Sequence, residues 1–94
     1  MTEAEEITRG RQAQELMAHP LIVEAFDKIE QGLIESIAEM PLTAKELERE
    51  AVRSLQLLRK VKRELKTVIE TGKMAELGVQ ERESFGTRLR KAFG

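Results

Sequence analysis

The sequence predicts an all-α protein built on an antiparallel helical hairpin, and three observations support this fold class. Apolar residues recur every three or four positions along two long stretches, which a proline-containing turn separates. Charged residues make up 35% of the 94 residues and aromatic residues only 3%, a composition typical of coiled-coil-like chains with aliphatic cores. A narrow hairpin of this length buries little apolar surface, so we expect the protein to form a homo-oligomer.

The first helix is predicted over residues 3–18. Thr2 and Glu5 have the spacing of a capping box, and the acidic residues that follow favour the positive end of a helix dipole. Gly10 weakens this short N-terminal helix by about 1 kcal/mol relative to Ala.

The second helix is predicted over residues 20–40, because Pro20 is well tolerated in a first helical turn. One apolar stripe runs along it, at Ile22, Phe26, Ile29, Leu33, Ile37 and Met40. Pro41 ends this helix, and Thr43 with Glu46 has the form of a second capping box. The short turn over residues 40–43 therefore makes the second and third helices antiparallel.

The third helix is predicted over residues 44–71, with Gly72 as a left-handed C-terminal cap. Its apolar positions alternate in steps of four and three, which is a heptad pattern. Leu55 and Ile69 widen this seam, which consists of Leu47, Ala51, Ser54, Leu58, Val61, Leu65 and Val68. The helical hairpin domain is accordingly residues 1–72.

Residues 73–94 are predicted to form a flexible tail that carries a short basic amphipathic helix over residues 84–93. Phe85, Leu89 and Phe93 stand four residues apart, whereas the bases Arg88, Arg90 and Lys91 face other directions. An apolar stripe on a tail without its own core is typical of a segment that docks on a partner. The alternatives are that it packs back on the third helix or lies on a membrane surface.

Charge is divided unevenly along the chain. Residues 1–52 carry twelve acids and five bases, and residues 53–94 carry five acids and eleven bases. A basic face of the third helix could contact nucleic-acid phosphates, through Arg59, Lys60, Lys62, Arg63 and Lys66. The simpler interpretation is that this face is solvated or paired with the acidic second helix, because it has no interleaved aromatic residues for base stacking.

The sequence indicates no catalytic, cofactor or metal site. There is no cysteine, and the single histidine, His19, stands beside Pro20 where a helix start is expected. No phosphate-binding loop or nucleophile motif is present, so we expect neither an enzyme nor a small-molecule substrate. Without a signal peptide or an apolar run of membrane-spanning length, we expect a soluble cytoplasmic protein that does not bind membranes.

Three stretches carry a resemblance to known proteins: Arg9-Gly10-Arg11-Gln12-Ala13, His19-Pro20-Leu21-Ile22-Val23-Glu24-Ala25-Phe26 and Val68-Ile69-Glu70-Thr71-Gly72-Lys73-Met74-Ala75. Over about residues 8–76 the chain resembles a loose family of short, mostly uncharacterised proteins encoded among the head and DNA-packaging genes of tailed bacteriophages and prophages. It departs from that pattern in lacking a Trp in the second helix. The resemblance implies an accessory role in virion assembly or packaging, in the host cytoplasm or the virion.

Three functional hypotheses follow. The leading one is a non-catalytic protein that oligomerises through its hairpin and docks another virion or packaging protein through its tail. The second is a DNA-binding packaging protein similar to a small terminase subunit, which would use the basic face of the third helix. The third is a scaffolding-type protein that binds coat through the basic C-terminal helix.

Overall fold

The computed structural model describes residues 1–93, so Gly94, the last residue of the predicted tail, lies outside the described residues. Three α-helices account for nearly all of this range, and it contains no strand. They are α1 (Glu3–Ala18), α2 (Pro20–Glu39) and α3 (Lys45–Phe93). The all-α prediction is confirmed, and the molecule is elongated, measuring 77 × 23 × 19 Å.

The first two helices begin where the sequence predicts. The Thr2 hydroxyl accepts a hydrogen bond from the Glu5 amide at 3.2 Å, which satisfies one of the unpaired donors of the first turn. His19 ends α1 and caps α2 in an extended conformation, and its Nδ1 accepts from the Leu21 amide at 3.2 Å. Pro20 then occupies the first turn of α2, where its missing N–H has no intrahelical partner to lose.

The start of α3 differs by one residue from the prediction. The Ala44 carbonyl accepts from the Glu48 amide at 3.0 Å, so Ala44 is the N-cap residue of α3. The predicted capping box of Thr43 and Glu46 is therefore wrong, because Thr43 lies one position too early. The Ala44 amide donates to the Pro41 carbonyl at 2.9 Å and closes a turn immediately before the helix begins.

The predicted end of the third helix at residue 71 is also wrong. No glycine among the described residues has a positive φ, so Gly72 is an interior helical residue and not a left-handed cap. The helix continues unbroken to Phe93, and the separate tail helix predicted over residues 84–93 is its last part. Residues 73–83 contain mostly good helix formers, which makes continuation favourable once Gly72 adopts helical angles.

Both shorter helices contact α3 at different levels along its length. Glu30 of α2 forms ion pairs with Arg59 and Lys62. Further along α3, Arg11 of α1 pairs with Glu76, and Glu3 pairs with Arg82. The long helix is thus the element on which the other two are placed.

α1 and α3 approach closely at Gly10 and Gly72, both of which are buried. A Cβ atom added to Gly72 would lie 2.8 Å from the Gly10 Cα and 2.8 Å from the Glu6 carbonyl oxygen. Such distances are shorter than real Cβ contacts, so the absence of side chains allows the two backbones to touch. The glycine that we interpreted as a cap is used for close helix packing.

The single chain buries very little apolar surface. Ala13 and Ala51 are the buried hydrophobic residues in the described range, and no larger side chain there is fully buried. The accessible surface is 7671 Å², whereas a compact chain of this mass exposes about 5,500 Å². The radius of gyration is 21.2 Å, against about 12 Å for a globular domain of this length.

Candidate interaction surfaces

The best-defined polar cluster joins α2 to α3 around Glu30. Its Oε2 atom accepts from Lys62 Nζ at 2.8 Å, and its Oε1 atom accepts from Arg59 Nε at 3.3 Å. Lys62 Nζ also lies 5.8 Å from the centre of the Phe26 ring, within range of a cation–π contact. The hydrogen bonds from Lys62 and Arg59 lower the pKa of Glu30, because they stabilise its ionised form.

This cluster changes the interpretation of the basic face of the third helix. Arg59 and Lys62 pair with Glu30 inside the chain, while Lys60, Arg63 and Lys66 are exposed. At about 100° of rotation per residue, the five bases spread over an arc of about 160° around α3. They do not form a single line along which a phosphate backbone would lie.

Most of the predicted apolar seam faces the neighbouring helices. The partly or fully buried members of the two stripes are Ile22, Phe26, Leu33 and Ile37 in α2 and Ala51, Leu58, Leu65 and Val68 in α3. Four members are exposed instead, namely Ile29, Leu47, Ser54 and Val61. Partly buried residues lie between the helices instead. Glu30 follows Ile29, Lys62 follows Val61, and Leu55 belongs to the widened edge of the seam.

Several exposed apolar residues of α2 and α3 share one side of the molecule, whereas Val23 and Ile34 of α2 lie on the side of Glu30. The ion pairs of Glu30 lie on one side of the α2–α3 pair. Helical rotation of about 100° per residue places an uncharged row of α2 on the opposite side, together with exposed residues of α3. We call this surface the apolar face; it consists of Leu21, Ala25, Ile29 and Gly32 of α2 and Leu47, Leu57 and Val61 of α3.

Sequence reasoning missed Leu21 and Leu57 as surface residues of interest. Both lie off the stripes that we expected to face inward, and both are highly exposed, at 67% and 63%. A signal was available for Leu57. With Leu55 and Leu58 it gives three leucines within four residues, more than one narrow seam can bury.

The last eleven described residues, 83–93, extend about 16 Å along α3 beyond Arg82. Arg82 pairs with Glu3, and this carboxylate raises the pKa of the guanidinium. Beyond that contact the helix exposes Phe85, Leu89 and Phe93, the last of them at 86%. Because this segment is a continuous part of α3, it does not fold back on the helix that carries it.

Within residues 1–93 there is no group of three or more acidic, histidine or cysteine side chains arranged to hold a metal ion. No helix in that same range is both long enough and apolar enough to cross a membrane. No family model, no curated protein and no solved structure matches this chain.

Proposed function

We propose that this chain is a non-catalytic interaction protein that self-associates through its helices and binds a partner protein through the C-terminal end of α3. The observation that carries the proposal is the lack of a core in the described chain, where two alanines are the buried hydrophobic residues. Burying an exposed leucine or isoleucine contributes roughly 1.5–3 kcal/mol, so covering such side chains with further copies supplies the missing stability.

The self-associating unit in this proposal is an antiparallel helical hairpin. Its support is the order of the contacts along the helices. Phe26 lies near Lys62, and Glu30 contacts Arg59. Nearer the N-terminus, Gly10 contacts Gly72 and Glu3 pairs with Arg82. Residue numbers along α3 therefore rise as those along α1 and α2 fall. In this arrangement α1 and α2 form one arm, bent at His19, and α3 forms the other.

The partner-binding segment in this proposal is residues 83–93. Its apolar stripe is flanked by Arg88, Arg90 and Lys91, a combination that suits an apolar groove with an acidic rim. The resemblance to phage head and packaging proteins suggests the setting, in which the partner is another virion or packaging component. Nucleic-acid binding has less support, because two of the five bases that would contact phosphates already pair with Glu30.

The native mass of the purified protein tests this proposal. We expect sedimentation or light scattering to give a multiple of the 10.7 kDa chain mass at micromolar concentration. Deleting residues 84–94 should leave both the mass and the helical signal per remaining residue unchanged. A folded protein with the mass of one chain would refute self-association. Loss of the oligomer on deletion would show that this segment serves assembly and not a separate partner.

A further inference from the structure

We propose that the apolar face binds the apolar face of a second copy, in a dimer whose two-fold axis runs parallel to the helices. This inference rests on the self-association proposed above and deepens it by naming the surface and the arrangement. The apolar face is one side of the α2–α3 pair, and the ion pairs of Glu30 with Arg59 and Lys62 lie on the other side.

The α2 part of the apolar face has the character of a helix–helix interface. Leu21, Ala25, Ile29, Gly32 and Ser36 are spaced four, four, three and four residues apart and include no charge. All five are exposed in the single chain. A Cβ added to Gly32 would have no atom within 4 Å, so the surface at this glycine is open for close approach by another helix.

The exposed area agrees with what a stable dimer buries. The chain exposes 7671 Å², about 2,000 Å² more than a compact chain of its mass. Two chains together therefore have an excess of about 4,000 Å², which falls within the range of obligate homodimer interfaces. A transient interface of smaller area would leave most of this excess surface exposed.

Charge decides how the second copy is oriented. α2 carries five acids and one base, whereas residues 53–66 of α3 carry six bases and one acid. A two-fold axis parallel to the helices places α2 of each copy against α3 of its partner, antiparallel and with opposite net charge. An axis perpendicular to the helices would instead place the basic segments of the two α3 helices against each other, which is unfavourable.

This arrangement has a functional consequence for the C-terminal segments. In the parallel dimer the two α3 helices point the same way, so both copies present Phe85, Leu89 and Phe93 at one end of the particle. Two such stripes at one end allow bivalent capture of a partner that also has repeated sites. Single-site affinity can then remain low while overall binding is strong.

The first experiment compares two substitutions of exposed leucines in α3. Leu57 belongs to the apolar face, and Leu77, which is 51% exposed, does not. We expect Leu57→Glu to weaken association at least a hundredfold in sedimentation at graded concentrations, and Leu77→Glu to leave it unchanged. The wild-type mass should be twice 10.7 kDa. An unchanged mass for Leu57→Glu, or an equal loss for both variants, overturns the assignment of the face.

A thiol-labelling experiment gives an answer even if Leu57→Glu fails to fold. The chain contains no cysteine, so Leu57→Cys and Leu77→Cys each introduce a unique thiol. We expect the maleimide reaction at position 57 to slow at least tenfold as the protein is concentrated, while the reaction at position 77 keeps its rate. Equal rates at both positions refute the apolar face as the interface. A wild-type mass of one chain would instead refute the proposed self-association itself.

Orientation is tested by a spin label at Ser84→Cys, an exposed position in the C-terminal part of α3. In the parallel dimer the two labels should lie about 15–30 Å apart, because the two α3 helices run parallel and lie diagonally across the dimer. If the copies pointed in opposite directions, the rise along α3 would separate the labels by about 85 Å. A label-to-label distance near 85 Å, measured by pulsed electron–electron double resonance, would overturn the two-fold axis that we propose.

Discussion

The close contact of α1 with α3 makes Gly72→Ala a sensitive test of the fold. The added methyl group would lie 2.8 Å from the Glu6 carbonyl oxygen and 2.8 Å from the Gly10 Cα. Both neighbours are backbone atoms that cannot rotate away, so α1 must move outward by about 0.6–1 Å to reach an ordinary contact distance. Overpacking of this kind costs about 1–3 kcal/mol.

Gly78→Ala is the matched control for this substitution. Gly78 lies in the same helix six residues later, and its added Cβ would meet only the Arg82 guanidinium, at 3.8 Å. Both variants gain the same helix propensity, about 1 kcal/mol for replacing Gly by Ala. The difference between them therefore isolates the cost of separating α1 from α3, which we expect to be about 1–3 kcal/mol.

The measurement is urea unfolding followed by circular dichroism at 222 nm, at one fixed chain concentration because association contributes to stability. We expect Gly78→Ala to have a higher free energy of unfolding than the unsubstituted protein. Gly72→Ala should have a lower free energy of unfolding than Gly78→Ala. Gly10→Ala should behave like Gly72→Ala, since its Cβ would lie 2.9 Å from the Gly72 Cα. Equal stability of the Gly72 and Gly78 variants would show that α1 does not pack on α3 as described.

Three further predictions concern charge and capping. Because the folded state lowers the pKa of Glu30, its contribution to stability is present above the unfolded value of about 4.3 and is lost as the pH falls through the lower folded value. Glu30→Gln should therefore flatten this part of the acid unfolding curve; an unchanged curve would contradict the ion pairs. Thr2→Ala removes the side-chain acceptor for the Glu5 amide and should cost about 1 kcal/mol, measured by urea unfolding. Duplex DNA should bind weakly at physiological salt, and Lys60→Glu with Arg63→Glu should change neither helicity nor native mass. A strong, salt-sensitive DNA affinity that this double variant abolishes would favour the nucleic-acid hypothesis over the one proposed.

The apolar stripe of α2 and the helix starts near Thr2 and Pro20 could be predicted because local rules govern them. A threonine oxygen caps the nearest free amide, and proline tolerates the first turn, whatever lies elsewhere in the chain. The class of fold follows from the same periodicity. The candidate surfaces were only partly predictable, because a heptad pattern shows which residues are apolar and not which of them a neighbouring helix covers.

Sequence alone determined that residues 3–39 form two helices meeting at His19 and that the protein is all-α. Tertiary structure decided the rest. Gly72 is compatible with either a left-handed cap or a helix interior, and the approach of Gly10 selects the interior because two glycines let the backbones touch. Likewise Lys62 takes the inward place expected for Val61, because its ammonium group lies over the Phe26 ring and pairs with Glu30. Both outcomes depend on residues distant in sequence, which no local pattern contains.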